Sequence, residues 1–214
     1  SFDAEAQIVR ELGKFLLDKS LYQGFKPVFW STVEKTALAD AEVEYKDHTS
    51  NTIYVSFKIK DTKKSFLENA NVIIWTTTPW TIPANKALAY NSSIDYSVVE
   101  IKDLDHFKDK KIVVATDLID SIIKSCEIKD FKILKNFKGS EFKDTTCSHP
   151  FLKLGYDYDV PMLDANFVNL EQGTGVVHCA PSHGPDDFIL CLKNNIPSKY
   201  TKIGRAVQQE CRDR

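Results

Sequence analysis

The stretch NVIIWTTTPWTIPANKALAY, residues 71–90, sets an apolar run directly against three threonines and two prolines. Val72-Ile73-Ile74-Trp75 predicts a short buried strand. Thr76, Thr77 and Thr78 follow between Trp75 and Trp80, and on a strand consecutive side chains point to opposite faces. Burying a hydroxyl without a partner costs about 1–3 kcal/mol. Pro79 and Pro83 then stop a regular ladder or helix. Polar groups therefore collect where the strand breaks, as they do in ligand sites. The same pattern also fits a threonine-rich strand end closed by local turn hydrogen bonds.

Working outward, Ile8, Leu12, Phe15 and Leu16 recur at helical spacing and predict an amphipathic helix from Asp3, its N-cap, to about Lys19. LYQGFKPVFW is extended and punctuated by Gly24 and Pro27. Two strands are expected at Ala41–Lys46 and Thr52–Ile59, joined by a hairpin turn at HTSN. YSVVEI is another strand. KIVVATDLIDSIIKSC is a strand running into a helix near Asp117, and FKILKNFKGSEF is a strand with a turn at Gly139. VPMLDANFV and GTGVVHCAP complete the set, the latter with a buried Val176-Val177 strand. Many short strands with few helices predict a β-rich mixed α/β fold, a closed or twisted β-barrel with peripheral helices. KDLDHFKDKK is dense in charge of both signs and reads as a solvated loop.

The second unusual segment is GTGVVHCAPSHGPDDF, residues 173–188. Gly173 and Gly175 allow a bulge or a close backbone approach. At the strand's end, His178, His183, Asp186 and Asp187 sit on a loop shaped by Pro181, Gly184 and Pro185. Three chemistries fit these residue types: a metal site, general acid–base catalysis by a histidine, or recognition of a cationic group by a carboxylate. A turn in which Asp186 or Asp187 caps the following helix explains one aspartate but not the two histidines. The x-x-G of a dinucleotide site is missing, which excludes a Rossmann reading. Cys179, next to His178, should face the core.

The bulk properties narrow the class. The 214 residues are 43% hydrophobic and 27% charged, ordinary for a globular chain that buries a sizeable core. Net charge is −2, from 28 basic and 30 acidic residues, so no global field draws in a polyanion. Cys126, Cys147, Cys179, Cys191 and Cys211 are odd in number and lack C-x-x-C, which favours a reducing compartment over disulfides or a compact zinc site. No signal peptide or membrane-spanning run is read, and a cytoplasmic protein is expected. The start without methionine is read as part of a longer chain.

Together, WTTTPWTIPAN and GTGVVHCAPSHGPDDF resemble the threonine-rich and H-x-x-P-x-H-G-x-D-D peptides of the editing domain of isoleucyl-tRNA synthetases. Valyl and leucyl enzymes carry related versions. GFKPVFWSTVEKTALADAEVEY resembles the passage from catalytic core into that domain, and the likeness covers residues 1 to about 195. No HIGH or KMSKS signature is present, so the aminoacylation site is not expected here. Residues 1–40 are read as N-terminal helix and linker from the core, 41–196 as the editing domain, and 197–214 as a tail of unclear origin. Many bacterial relatives carry cysteines where this chain has Ser31 and Glu34, so no metal is carried over there.

The resemblance implies hydrolysis of the ester of valine mischarged to tRNA(Ile), with the tRNA 3′ end and the parent enzyme's catalytic core as partners and a monomeric domain. It implies no cofactor for editing, with ATP and magnesium belonging to the parent's aminoacylation. By resemblance, Asp187 anchors the substrate ammonium, His178 walls off isoleucine, and Thr76, Thr77, Thr78 and Thr81 hold the ester, the terminal adenosine and the attacking water. Trp75, Asn85 and His183 fall at or near the same site, and no residue is assigned to a metal. The residues leave two other readings open: a non-catalytic module that binds a tRNA 3′ end or an aminoacyl-adenylate, and a metal-dependent hydrolase using His178, His183 and Asp187.

Overall fold

The computed structural model describes residues 1–24, 26–31, 33–45, 47, 49–103 and 110–198. Part of the KDLDHFKDKK loop, His48 of the expected hairpin turn and the tail from residue 199 lie outside the described residues.

Among the described residues, eleven strands run β1 (Trp30–Ser31), β2 (Thr36–Ala37), β3 (Ile53–Asp61), β4 (Ala70–Thr76), β5 (Ala87–Tyr90), β6 (Asp95–Ile101), β7 (Lys110–Ala115), β8 (Phe131–Lys138), β9 (Thr146–Ser148), β10 (Asp159–Asp164) and β11 (Val177–Cys179). The α-helices of the described residues are α1 (Phe2–Leu17), α2 (Ile119–Ser125) and α3 (Pro185–Lys193). β1 and β2 form a small hairpin, and the other nine strands form one mixed sheet in the order β11-β5-β10-β9-β3-β4-β7-β6-β8. The β4–β7 and β5–β10 pairs are parallel and the rest antiparallel.

The long strand β3 makes the sheet curl. Ile53 to Lys58 pair with β4, whereas Ile59 and Asp61 pair with β9 across a register shift. An irregularity of this kind bends a strand and increases its twist. The curl brings β11 beside β4, although the two are far apart in ladder order. Among the described residues no ladder joins β8 to β11, and the β-rich mixed α/β expectation holds as one curled sheet.

The main core fills the curl. Tyr96, Phe137 and Phe142 meet there, Tyr96 and Phe142 edge-to-face with ring centroids 4.9 Å apart. Tyr96 carries its hydroxyl through this apolar packing to donate to the Gly175 carbonyl at 2.7 Å. Burial pushes its phenol pKa up to about 12, so it remains a donor at any ordinary pH. Gly175 has φ 77°, and a Cβ there would sit 2.3 Å from the Ala115 Cβ, so only glycine fits. The Ala115 N–H donates to the Thr174 carbonyl at 2.8 Å, docking the Gly-Thr-Gly loop against the end of β7. A second small core packs Leu190 and Cys191 of α3 against Ala87, Ala89 and Cys179. Small side chains on β5 let the helix approach the sheet closely.

Several expectations need correction. Among the described residues of the expected Ala41–Lys46 strand no ladder forms; Asp40–Glu42 form a single 3₁₀ turn, and the hairpin near Trp30 stands instead. Val43 is only partly buried and Tyr45 is 79% exposed, so that segment has no face to bury. Pro79 and Pro83 do not prevent helical structure, because Pro79–Ala84 closes as a 3₁₀ helix. Val177 is 38% exposed, while Val176 is buried outside the ladder. α1 is capped by Ser1, whose side chain accepts from the Ala4 N–H, not by Asp3. Its apolar stripe of Ile8, Leu12, Phe15 and Leu16 stays exposed.

Candidate functional site

β4 ends at Thr76, and the chain turns through Thr77 and Thr78 into the 3₁₀ helix that carries Thr81. β11 presents His178 beside that turn, and the first turn of α3 presents Asp187. These segments enclose a cavity of about 480 Å³ lined by Trp75, Thr76, Thr77, Thr78, Thr81, His178, His183 and Asp187. Such a volume suits a small ligand of tens of atoms.

The threonines form a connected set. Thr76 Oγ1 accepts from the Thr78 N–H at 3.0 Å and lies 3.2 Å from Thr78 Oγ1. Thr81 Oγ1 donates to the Thr78 carbonyl at 2.8 Å and lies 2.9 Å from His178 Nε2. The question raised by three consecutive threonines is thereby answered. Thr76 and Thr78 brace the break in the strand while Thr77, the exposed one, borders the cavity. Thr76 and Thr78 also line the cavity, so the local-turn reading holds for their mutual bonds but does not account for the whole set.

His178 is buried, and burial with the neighbouring His183 and His149 lowers its pKa to about 4. It is therefore neutral at neutral pH. Asp187 lies at the third position of α3, where the helix dipole favours a negative charge. Its Oδ2 accepts from the Ala180 N–H at 2.9 Å. Burial pushes its carboxyl above the ordinary carboxylate value, and the Ala180 bond acts in the opposite direction. The N-cap of α3 is Gly184, so neither Asp186 nor Asp187 caps the helix with its side chain. His183 lines the cavity with a buried Nε2 that has no hydrogen-bond partner among the described residues. Cys179 is fully buried in the small core, where its thiol hydrogen-bonds to the Asp187 carboxylate.

Of the expected residues, only Asn85 does not line the cavity. It is fully buried behind His178, with Nδ2 3.5 Å from His178 Nδ1 and donating to the Ala87 carbonyl at 2.9 Å. Sequence reading missed Phe167, Asn169 and Gln172, which close the cavity from the loop after β10. No spacing or composition marks them; a curled sheet is what brings that loop over the threonines. Among the described residues no group of three or more His, Cys, Asp or Glu side chains is gathered to hold a metal ion. Nor is any described helix long and apolar enough to cross a membrane.

Burial of uncharged histidines has a consequence for stability. With a folded value near 4 against about 6.5 unfolded, His178 contributes fully above pH 6.5 and loses that contribution as pH falls toward 4. The lowered values of His149 and His183 act with the same sign. The raised Asp187 offsets part of the loss at the acid end. Urea midpoints measured between pH 7 and 4.5 should fall steadily. The His178 share should be roughly 3 kcal/mol over the whole window. A His178→Gln variant should show a flatter profile, and an equally steep one would contradict the assignment.

With this geometry in view, the chain was compared with known proteins. A family model for tRNA synthetases of class I (I, L, M and V) matches residues 1–195. An isoleucine–tRNA ligase from Pelagibacter ubique is 69% identical over 210 residues, covering 94% of this chain and 23% of that protein. One from Gluconobacter oxydans is 49% identical over 201 residues, covering 91% of this chain and 21% of the relative. The chain thus spans between a fifth and a quarter of the length of these curated relatives. Among solved structures, the P. knowlesi cytosolic leucyl-tRNA synthetase editing domain superposes with TM-score 0.52 at 14% identity, over 67% of this chain and 60% of that one. That is a likeness of fold.

Proposed function

For a chain that belongs to the class I tRNA synthetase family of the isoleucyl, leucyl, methionyl and valyl type, we propose a proofreading role: hydrolysis of the ester that links valine to tRNA(Ile). The observation that carries this reading is one cavity holding a half-buried carboxylate, a neutral histidine wall and a row of threonine hydroxyls. An aminoacyl ester presents matching parts: an ammonium, a small side chain and a polar reacting centre.

Asp187 binds the α-ammonium, since a charge-assisted bond to a carboxylate is roughly twice as strong as a neutral one. The ester and the attacking water lie among the hydroxyls of Thr76, Thr77 and Thr78. An activated ester needs no strong nucleophile, and a neighbouring ribose hydroxyl helps position the water. His178 is not the base, because both its ring nitrogens are engaged within the protein. It acts as a wall, with Trp75 and the Thr81 methyl narrowing the space beside it. His183 offers its unpartnered Nε2 to the ribose or the ester carbonyl.

A cavity of this volume cannot by itself reject one methylene, so selectivity must come from local contact at the wall. One methylene in an apolar pocket is worth only about 1–3 kcal/mol, a range for which valine against isoleucine in this enzyme family is itself the standard illustration. The partners that follow are the 3′ end of tRNA(Ile) carrying valine and the remainder of a longer synthetase, in the cytoplasm and as a monomer. ATP and magnesium are assigned to that remainder. The test is deacylation of valyl-tRNA(Ile) beside isoleucyl-tRNA(Ile). Valine should be released at least tenfold faster; equal rates, or release of neither with the fold intact, would refute the assignment.

A further inference from the structure

The side chains behind the cavity wall form a directional chain of hydrogen bonds. The Thr81 hydroxyl has one proton, and it goes to the Thr78 carbonyl at 2.8 Å. Its contact with His178 Nε2 at 2.9 Å must then be one in which the ring donates. On the other side of the ring, the Asn85 amide nitrogen faces Nδ1 at 3.5 Å, an approach that requires Nδ1 to be without a proton. The amide cannot turn over, because Nδ2 also donates to the Ala87 carbonyl at 2.9 Å and a flip would set two oxygens against each other. Asn85 Oδ1 is buried with no partner among the described residues. Tyr158 donates its hydroxyl to the Asn85 carbonyl at 2.6 Å, with the Lys86 ammonium 3.7 Å over the Tyr158 ring, fixing the backbone at this point.

We propose that Asn85 is a positioning residue that holds His178 as the Nε2–H tautomer, in one ring orientation, and thereby sets the wall of the cavity. The orphaned Oδ1 follows from this role: the amide keeps the orientation that serves the ring and the Ala87 carbonyl at the expense of its own oxygen. Asn85 touches no ligand and acts only through His178. The selectivity part of this inference rests on the proofreading reading; the tautomer part does not.

The experiment is nitrogen NMR of the 214-residue chain labelled with ¹⁵N-histidine, with the His178 signals assigned by their loss in His178→Gln. Couplings from ring protons to the two nitrogens report which one carries hydrogen, without any substrate. The wild-type ring should be protonated on Nε2. In Asn85→Ala it should become a mixture of tautomers, with valine-over-isoleucine selectivity reduced about tenfold. A wild-type ring protonated on Nδ1, or a ring unaffected by Asn85→Ala, overturns the proposal. Should that variant fail to fold, Asn85→Asp sets an acceptor in place of the Nδ2 donor and must bring hydrogen onto Nδ1; a ring still protonated on Nε2 alone overturns the proposal. Correct tautomer behaviour with no ester hydrolysis would sink the proofreading reading alone.

Discussion

Replacing Asp187 with alanine is expected to lower kcat/KM for valyl-tRNA(Ile) deacylation by about 10²–10⁴. The estimate follows from leaving a desolvated ammonium without its counter-charge, which costs about 3–5 kcal/mol. Asp187 also accepts the Ala180 N–H, so alanine strands a backbone donor and weakens the loop as well. Asp187→Asn separates the two roles. It keeps an acceptor for Ala180 but carries no charge, so the fold should persist while activity is lost to a similar extent. Because burial raises the Asp187 pKa, the acid limb of the wild-type rate profile should lie above the ordinary carboxylate range. Activity is lost as pH falls through that value, when the carboxyl takes up a proton. Full activity in Asp187→Asn would exclude the ammonium anchor.

Replacing His178 with alanine is expected to make isoleucyl-tRNA(Ile) a substrate. Removing the imidazole opens the space that the extra methylene needs, and selectivity should fall by roughly 10–200-fold, the range one methylene commands. The change also takes one partner each from the Thr81 hydroxyl and the Asn85 amide, which keep their bonds to the Thr78 and Ala87 carbonyls, so some stability is lost with it. Selectivity is a ratio measured on one preparation, so it survives a partly folded sample. Unchanged rejection of isoleucine in His178→Ala would place the sieve elsewhere, with Phe167 and Val177 the neighbouring candidates on the cavity lining.

How much was legible in the sequence depended on whether local pattern or distant contact decided the outcome. β4 was readable because Val72, Ile73 and Ile74 are all buried, and an apolar run of that length has few other uses. α3 was readable from its two aspartates and the apolar run after them, whereas Pro185, read as part of the loop, is its first residue. β5 escaped notice because all four of its residues are buried, so Ala87–Tyr90 shows no alternation, and alanine is a poor strand signal. Ala41–Lys46 misled in the opposite way, since its alternation had no sheet to join. At the site, the residue types declared the chemistry, but the place of Asn85 behind the ring arises from a contact 93 residues along the chain. Nothing local encodes that.

The edge position of β11 has a consequence for when the site exists. Thr81 and His178 are 97 residues apart in sequence, and their meeting depends on three residues of β11 pairing with β5 at the margin of the sheet. Contacts this distant carry a loop-closure cost that is met only after the intervening strands have folded. A three-residue marginal strand is also the kind of element that opens locally before a whole domain unfolds. The wall of the cavity is therefore expected to form late as the chain folds and to loosen early on warming. Loss of selectivity should precede loss of the sheet.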